Sequence, residues 1–433
     1  MALAFCLIAV LIFGGTWTAK NIGLANITST VQLAKMAQIS GKYLVLFENN
    51  NELRPSGGFL GSFAEINLNK GKISDIYFDT NIYKRDNAFA KDHQIAPPKS
   101  FQILYGAPYW TMRDSNWAAD FRTSAQQVAW FYQQEGGNEV DGVIALDTTF
   151  FTNILQLTGP IYLEKYKMEI NADNFLKEVQ YEVEKGYWEE DTTKTMSEPK
   201  TILKDLMGEI LPKMQELPKT KILKLVLETL KQKHLMFYFN DPAMEDVALR
   251  ENWGGVVMQT QGDYLYVVNS TINVGDDPKV NNGGGKTNLS VAEKINYKVV
   301  KNQLGDLLVT LSILRTHAGS WDWPDGQNNN YARILVPKDN QLQSANLDGQ
   351  DVSKDIYTTV EAGKTSFGIW NKTQPQTSKL LTLTYQLPMS AASNYSLLVQ
   401  KQPGALSSQL QVIYENKVLY DGLLDHDISV NLD

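Results

Sequence analysis

The feature that most constrains this chain is a change of hydrophobic period near Asp263. Before it, apolar residues form buried-strand runs and helix-spaced faces; after it, they form short alternating runs divided by turns. A helix buries every third or fourth residue and a half-buried strand every second, so the switch predicts two domains of different class. The length agrees, because 433 residues exceed one ordinary core at roughly 150 residues per domain.

Upstream, Tyr43 to Phe47 (YLVLF) is a continuous apolar run that suits a strand buried on both faces. Phe63 to Leu68 and Ile73 to Phe78 flank Asn69-Lys70-Gly71, and the glycine predicts a hairpin, hence a mixed sheet. Thr123 or Ser124 is expected to cap a helix running through Gln134. Val140 to Leu146 reads as another buried strand, with Asp147 capping the helix that Gly159-Pro160 stops. Between Asn174 and Lys233 the pattern is helical: Phe175, Val179 and Val183 fall four apart, Ser197-Glu198-Pro199 reads as a cap, and Ile202, Leu206 and Ile210 share a face. Residues 42–262 are therefore expected to form a mixed-sheet α/β domain.

Downstream, runs such as Tyr264 to Val268, Val291 to Val300, Leu307 to Leu314 and Tyr331 to Val336 predict an all-β sandwich over residues 263–433. A fragment starting near Asn288 is expected to fold alone.

A net charge of -8 leaves no basic field and argues against nucleic acid as a partner. The single cysteine, Cys6, cannot form an internal disulfide, and the four histidines lack metal-ligand spacing. Ala2 to Gly15 is uncharged and apolar, with the first charge at Lys20. We read residues 1–19 as a single N-terminal membrane anchor, residues 20–41 as a linker helix, and the bulk as extracytoplasmic. A cleaved signal is the rival reading, but it lacks a basic leading segment and a small-residue cleavage site. Absent disulfides fit a bacterial envelope.

Several motifs take structural readings. Asn282 to Thr287 (NGGGKT) fails the phosphate-loop spacing because Val280 stands where a glycine is needed, so it reads as a hairpin loop. Glu184, Glu189, Glu190 and Asp191 read as a solvated helix end. Two segments are candidates for a site. Glu48 to Phe63 (ENNNELRPSGGFLGSF) is expected to be a strand ending in a polar loop with Glu52, Arg54, Gly57 and Gly58. There the glycines let backbone N–H groups approach an anion and Arg54 offers a planar donor fork. Arg113 to Tyr132 places Arg113, Asp114 and Asp120 just before a helix. Either the two loops converge on one anion, or Arg113 forms structural ion pairs with Asp114 or Asp120.

These two segments, with VDGVIALDTTFFTNILQLTGPI at Val140 to Ile161 and the GGGKTN stretch, resemble a bacterial envelope family known as domain of unknown function 4012. That family is distantly similar to the LytR-CpsA-Psr phosphotransferases, membrane-anchored enzymes that move a glycopolymer from polyprenyl pyrophosphate onto the cell wall. The resemblance implies a LytR-CpsA-Psr-like α/β domain, with Arg113-Asp114 in the place of a motif Arg-Asp pair. It implies a phosphotransferase-like protein that acts on or binds a polyprenyl-pyrophosphate-linked glycopolymer. The alternative is a non-catalytic extracytoplasmic binding, adhesion or structural module. The chain departs from the pattern where Ser56-Gly57-Gly58-Phe59 replaces an Arg-Ser-Asp motif. Glu48 and Glu52 are then the nearby carboxylates, so magnesium would lack one expected ligand and no other cofactor is evident. Glu182 to Lys200 also holds no arginine for a pyrophosphate clamp. The partners implied are the membrane and a lipid-linked glycopolymer or the cell wall.

Overall fold

The computed structural model describes residues 27–36, 38–101, 109–186, 201–272, 285–390 and 395–432. The expected anchor with Cys6, the first part of the linker helix, the Ser197-Glu198-Pro199 cap, Glu189 to Asp191 and Asn282 to Gly284 lie outside them. Among the described residues, no helix is long and apolar enough to cross a membrane.

The first unit opens with α1 (Ile27–Met36), β1 (Gly41–Arg54), β2 (Gly57–Asn69), β3 (Lys72–Asp79) and α2 (Ile82–Asp92). It continues with α3 (Phe121–Gln134), β4 (Gly142–Asp147), α4 (Thr148–Thr158), a small ribbon of β5 (Ile161–Leu163) and β6 (Met168–Ile170), and α5 (Phe175–Tyr181). After it come α6 (Thr201–Glu216), α7 (Lys219–Lys231), β7 (Leu235–Phe239) and α8 (Pro242–Arg250). The sheet runs β3-β2-β1-β4-β7; β1 is antiparallel to β2 and parallel to β4, and β4 is antiparallel to β7, so it is mixed.

The YLVLF run is buried on both faces because helices cover both. Tyr43 and Val45 join the core formed with α1 and α4 to α8, while Leu44 and Leu46 pack with α2 and α3. The cap of α3 differs from expectation. Asp120, rather than Thr123 or Ser124, stands at the N-cap, its Oδ1 accepting from the Thr123 amide at 2.9 Å. A carboxylate three residues before the free amide reaches it as a hydroxyl would and also favours the positive helix end.

A second correction concerns Glu48 to Phe63. No loop follows the first strand; β1 and β2 continue as one hairpin with only Pro55-Ser56 between them. Its ladder is interrupted, since Asn49 pairs with Phe59 but Leu53 pairs with Gly58, leaving Asn50, Asn51 and Glu52 without partners in β2. Such a bulge bends the strand and turns polar side chains away from the ladder.

The second unit starts at β8 (Asp263–Thr271) and continues with β9 (Val291–Lys301), β10 (Asp306–His317), β11 (Asn328–Val336), β12 (Gln341–Leu347) and β13 (Gln350–Asp351). Next come β14 (Tyr357–Glu361), β15 (Lys364–Thr373), β16 (Ser378–Ser390), β17 (Ser396–Gln400), β18 (Ser408–Tyr414), β19 (Lys417–Leu424) and β20 (Ile428–Asn431). Two sheets, β13-β12-β16-β10-β9-β18-β19 and β14-β15-β11-β8-β17-β20, pack face to face over one core. β8 is central in the second sheet, between β11 and β17, so a fragment from Asn288 lacks an interior strand.

The hairpin tip of the first unit is buried against this sandwich. The Leu53 amide donates to Thr271 Oγ1 at 2.7 Å, Asn50 Nδ2 to the Gly404 carbonyl at 2.9 Å, and Gln402 Nε2 to the Arg54 carbonyl at 3.1 Å. Gly404 is required here, because a β-carbon would sit 2.3 Å from the Gly57 carbonyl oxygen.

Candidate functional site

A cavity of about 640 Å³, lined also by Thr148, opens between the sheet and α5 and α6, where the parallel pairing of β1 with β4 stops at Glu48 and Asp147. Ligands of open α/β sheets gather beyond such strand ends. Its apolar wall comes from Phe47, Phe78, Phe151, Phe175, Val179, Leu203 and Met207. The helical spacing of Phe175, Val179 and Val183 thus faces partly onto a void rather than onto packed core.

Polar lining comes from β1 at and near its bulge, from the turn after α5 and from the connection between β8 and β9. Glu52 and Lys286 both line the cavity, as do Glu48 and Glu184. Lys286 Nζ lies 2.8 Å from Glu184 Oε1 and 3.6 Å from Glu52 Oε2. Burial pushes the Glu48 carboxyl well above the usual carboxylate range, and nearby Asp147 adds to this, although Asn116 Nδ2 donates to Oε1 at 2.9 Å. Gly57, at φ +141°, makes room for this carboxyl; a β-carbon would lie 1.9 Å from Glu48 Oε2. Gly58 presses equally close to the Asn49 backbone, and its carbonyl accepts from Asn116 at 2.8 Å. Both glycines therefore serve close packing of the hairpin.

The structure brings Glu52, Arg54, Arg113 and Asp114 into one electrostatic neighbourhood. Arg54 is 1% exposed; Nη2 donates to Glu52 Oε1 at 2.8 Å and Nη1 to the Thr271 carbonyl at 2.6 Å. Arg113 lies 3.3 Å from Asp86 and 3.4 Å from Asp114. Burial raises the Asp114 carboxyl, Arg54 and Arg113 pull it back down, and Glu52 pushes it up again. Neither arginine lines the cavity; each guanidinium instead lies over an aromatic ring that does, Arg54 5.2 Å from Phe59 and Arg113 4.7 Å from Tyr83. Asp120 is elsewhere: besides capping α3 it accepts from the Val257 amide at 2.9 Å.

Arg113 also faces a buried acidic pair. Burial pushes Asp86 up to about 6, with Arg113 opposing, and pushes Glu135 up to about 8, with Asp86 adding to the rise. Asp86 and Asp114 therefore bind protons more tightly folded than unfolded, and their contribution to stability falls as pH rises above the unfolded value of about 4. Removing Arg113 raises both folded values further. The Arg113→Ala variant is expected to lose little stability at pH 5 and about 1–3 kcal/mol at pH 8. Urea titrations at both pH values check this, and an equal loss at both would overturn it.

Sequence reasoning missed Lys286, Glu184 and the cavity itself. The glycine run before Lys286 was the available signal, but it reads equally as a turn. Glu184, read as part of a solvated helix end, pairs with Lys286 and accepts from Trp323 Nε1 at 3.0 Å.

Among curated proteins, none matches the sequence. Solved structures give partial likenesses. One is a Legionella pneumophila protein described as nutrient-binding, at 8% identity and TM-score 0.23, covering 35% of this chain and 54% of that one. Leukotriene A4 hydrolase of Saccharomyces cerevisiae gives 7% identity and TM-score 0.22, covering 33% and 29%. An M1 zinc metallopeptidase of Deinococcus radiodurans gives 12% and 0.18, covering 29% and 32%. This chain thus spans 29% to 54% of their lengths, and likenesses this slight carry no functional argument. The sequence itself gives the firmer result. Residues 40–183, which hold β1 to β6, α2 to α5 and both candidate segments, match the family described as Protein of unknown function (DUF4012).

Proposed function

We propose that this is a cell-envelope protein whose α/β domain holds the polyprenyl chain of a phosphate-linked glycopolymer, as a binding module rather than a phosphotransferase. The cavity carries the reading: about 640 Å³ with an apolar wall and a few charged groups is the form of a site for an amphiphile. The distant likeness to LytR-CpsA-Psr enzymes supplies the substrate class, and the apolar Ala2 to Gly15 run supplies the membrane anchor of this proposal.

Binding is favoured over catalysis because the basic groups are already matched by protein acceptors. Stabilising a transferring phosphoryl group needs cations aimed at it. Arg54 instead serves Glu52 and Thr271, and Arg113 serves Asp86 and Asp114. The magnesium that the likeness implies fits these residues poorly, since Glu52 is held by Arg54 and Lys286, and burial favours the neutral form of Glu48.

Leu203, half-buried on the cavity wall, provides the test. Leu203→Trp should obstruct part of the apolar wall and weaken binding of a polyprenyl phosphate at least tenfold, whereas Leu203→Ala should retain it. Titration in detergent with both variants checks this. Equal affinity for the Trp variant would show that the chain binds elsewhere.

A further inference from the structure

We propose that Lys286 is the head-group contact of this cavity, where a ligand phosphate takes the place of Glu184 as its partner. The inference rests on the amphiphile reading above and adds the residue that recognises the charged end.

Lys286 is the one basic side chain on the cavity wall that is also largely buried among the described residues, with 14% of its side chain exposed. It stands between β8 and β9, so a connection within the second unit delivers a cation to a void formed chiefly by the first. Two carboxylates flank it, and they are held unequally. Glu52 is fixed by Arg54 at 2.8 Å and is itself buried. Glu184 lies in the π-helical turn Glu182–Gly186, with 26% of its side chain exposed, held otherwise by Trp323. Burial alone would depress the ammonium, but Glu52 and Glu184 together hold it above its ordinary value, so it stays charged. A cation between a fixed and a replaceable carboxylate can exchange the second for a stronger anion without leaving a charge unpaired. Phosphate suits the exchange, because it carries more acceptor oxygens and charge than one carboxylate. Released Glu184 is near the surface and can be solvated, while Glu52 cannot leave without stranding Arg54. Asn81 and Lys84, at the start of α2, line the same cavity and offer further donors.

The test compares polyprenyl phosphate with the uncharged polyprenol of equal chain length, titrated into the full chain in neutral detergent. For the wild type, phosphate should bind at least tenfold more tightly than the alcohol. Lys286→Gln should remove that preference and leave polyprenol affinity unchanged. Glu184→Gln removes the competing carboxylate and should strengthen phosphate binding about threefold to tenfold, again without effect on polyprenol. A merely structural Lys286–Glu184 bridge predicts no gain in phosphate affinity for Glu184→Gln. If both ligands bind the wild type equally, or Glu184→Gln gives no gain, the head-group assignment fails while the cavity reading stands. If neither ligand binds the wild type, the cavity reading itself fails.

Discussion

A fragment starting at Asn288 is expected to show no cooperative unfolding transition, whereas one starting at Gln261 is expected to show one. The difference is β8, whose nine residues are all buried. Removing it breaks two ladders, with β11 and with β17, in the middle of a sheet. Leu265 and Val267 leave the sandwich core, at about 1.5–3 kcal/mol each. Asp263 also goes, whose carboxylate accepts from Tyr297 at 2.7 Å and from Tyr395 at 2.6 Å; two buried hydroxyls then lose their acceptor at about 1–3 kcal/mol each. These losses are comparable to the whole stability of a typical domain, about 5–15 kcal/mol. The Gln261 fragment keeps these contacts but bares Tyr264, Tyr266 and Val268, which pack against Ala119 and Val257 of the first unit. Its melting temperature should therefore lie below that of the sandwich in the full chain. Calorimetry and far-ultraviolet circular dichroism decide this; cooperative, strand-rich melting of the Asn288 fragment would remove β8 from its central role.

Replacing Arg54 by Ala is expected to lower stability by about 3–5 kcal/mol, roughly 10 °C in melting temperature, to weaken phosphate binding only through the freed Glu52, and to leave polyprenol affinity unchanged. The cost comes from what remains. Glu52 stays buried without its 2.8 Å partner, the Thr271 carbonyl loses its 2.6 Å donor, and a space opens beside Phe59. Because the loss is that of a buried carboxylate left with only the 3.6 Å contact to Lys286, Arg54→Met with Glu52→Gln should recover a large part of it, although the pair as such is not a large net source of stability. Thermal melts of the single and double variants, with titration of each by polyprenyl phosphate and by polyprenol, separate the two roles, and the double variant should regain phosphate binding. An unchanged melting temperature with lost binding would return Arg54 to the ligand.

The sequence by itself determined the layers. The YLVLF strand, the hairpin at Asn69-Lys70-Gly71, the helix capped by Asp147 and the alternating runs after Asp263 are local patterns, and each lies in the element its period predicts. The edge strands β13, β14, β19 and β20 escaped because short or one-sided strands carry little periodic signal, and β12 and β15 because polar residues interrupt their runs. Tertiary structure alone decided the site. A run of polar residues such as Asn49-Asn50-Asn51-Glu52 reads as a loop, and only pairing with β2 turns it into a bulge that aims Glu52 at Lys286. An apolar helix face has the same spacing whether it meets a core or a cavity, so the wall formed by Phe175 and Val179 was invisible as such. Arg54 and Arg113 have the composition of an anion site, yet burial left each needing an acceptor from the protein itself. Period records which side of an element avoids water; it does not record what fills the space on that side, and that is settled by packing between segments far apart in the chain.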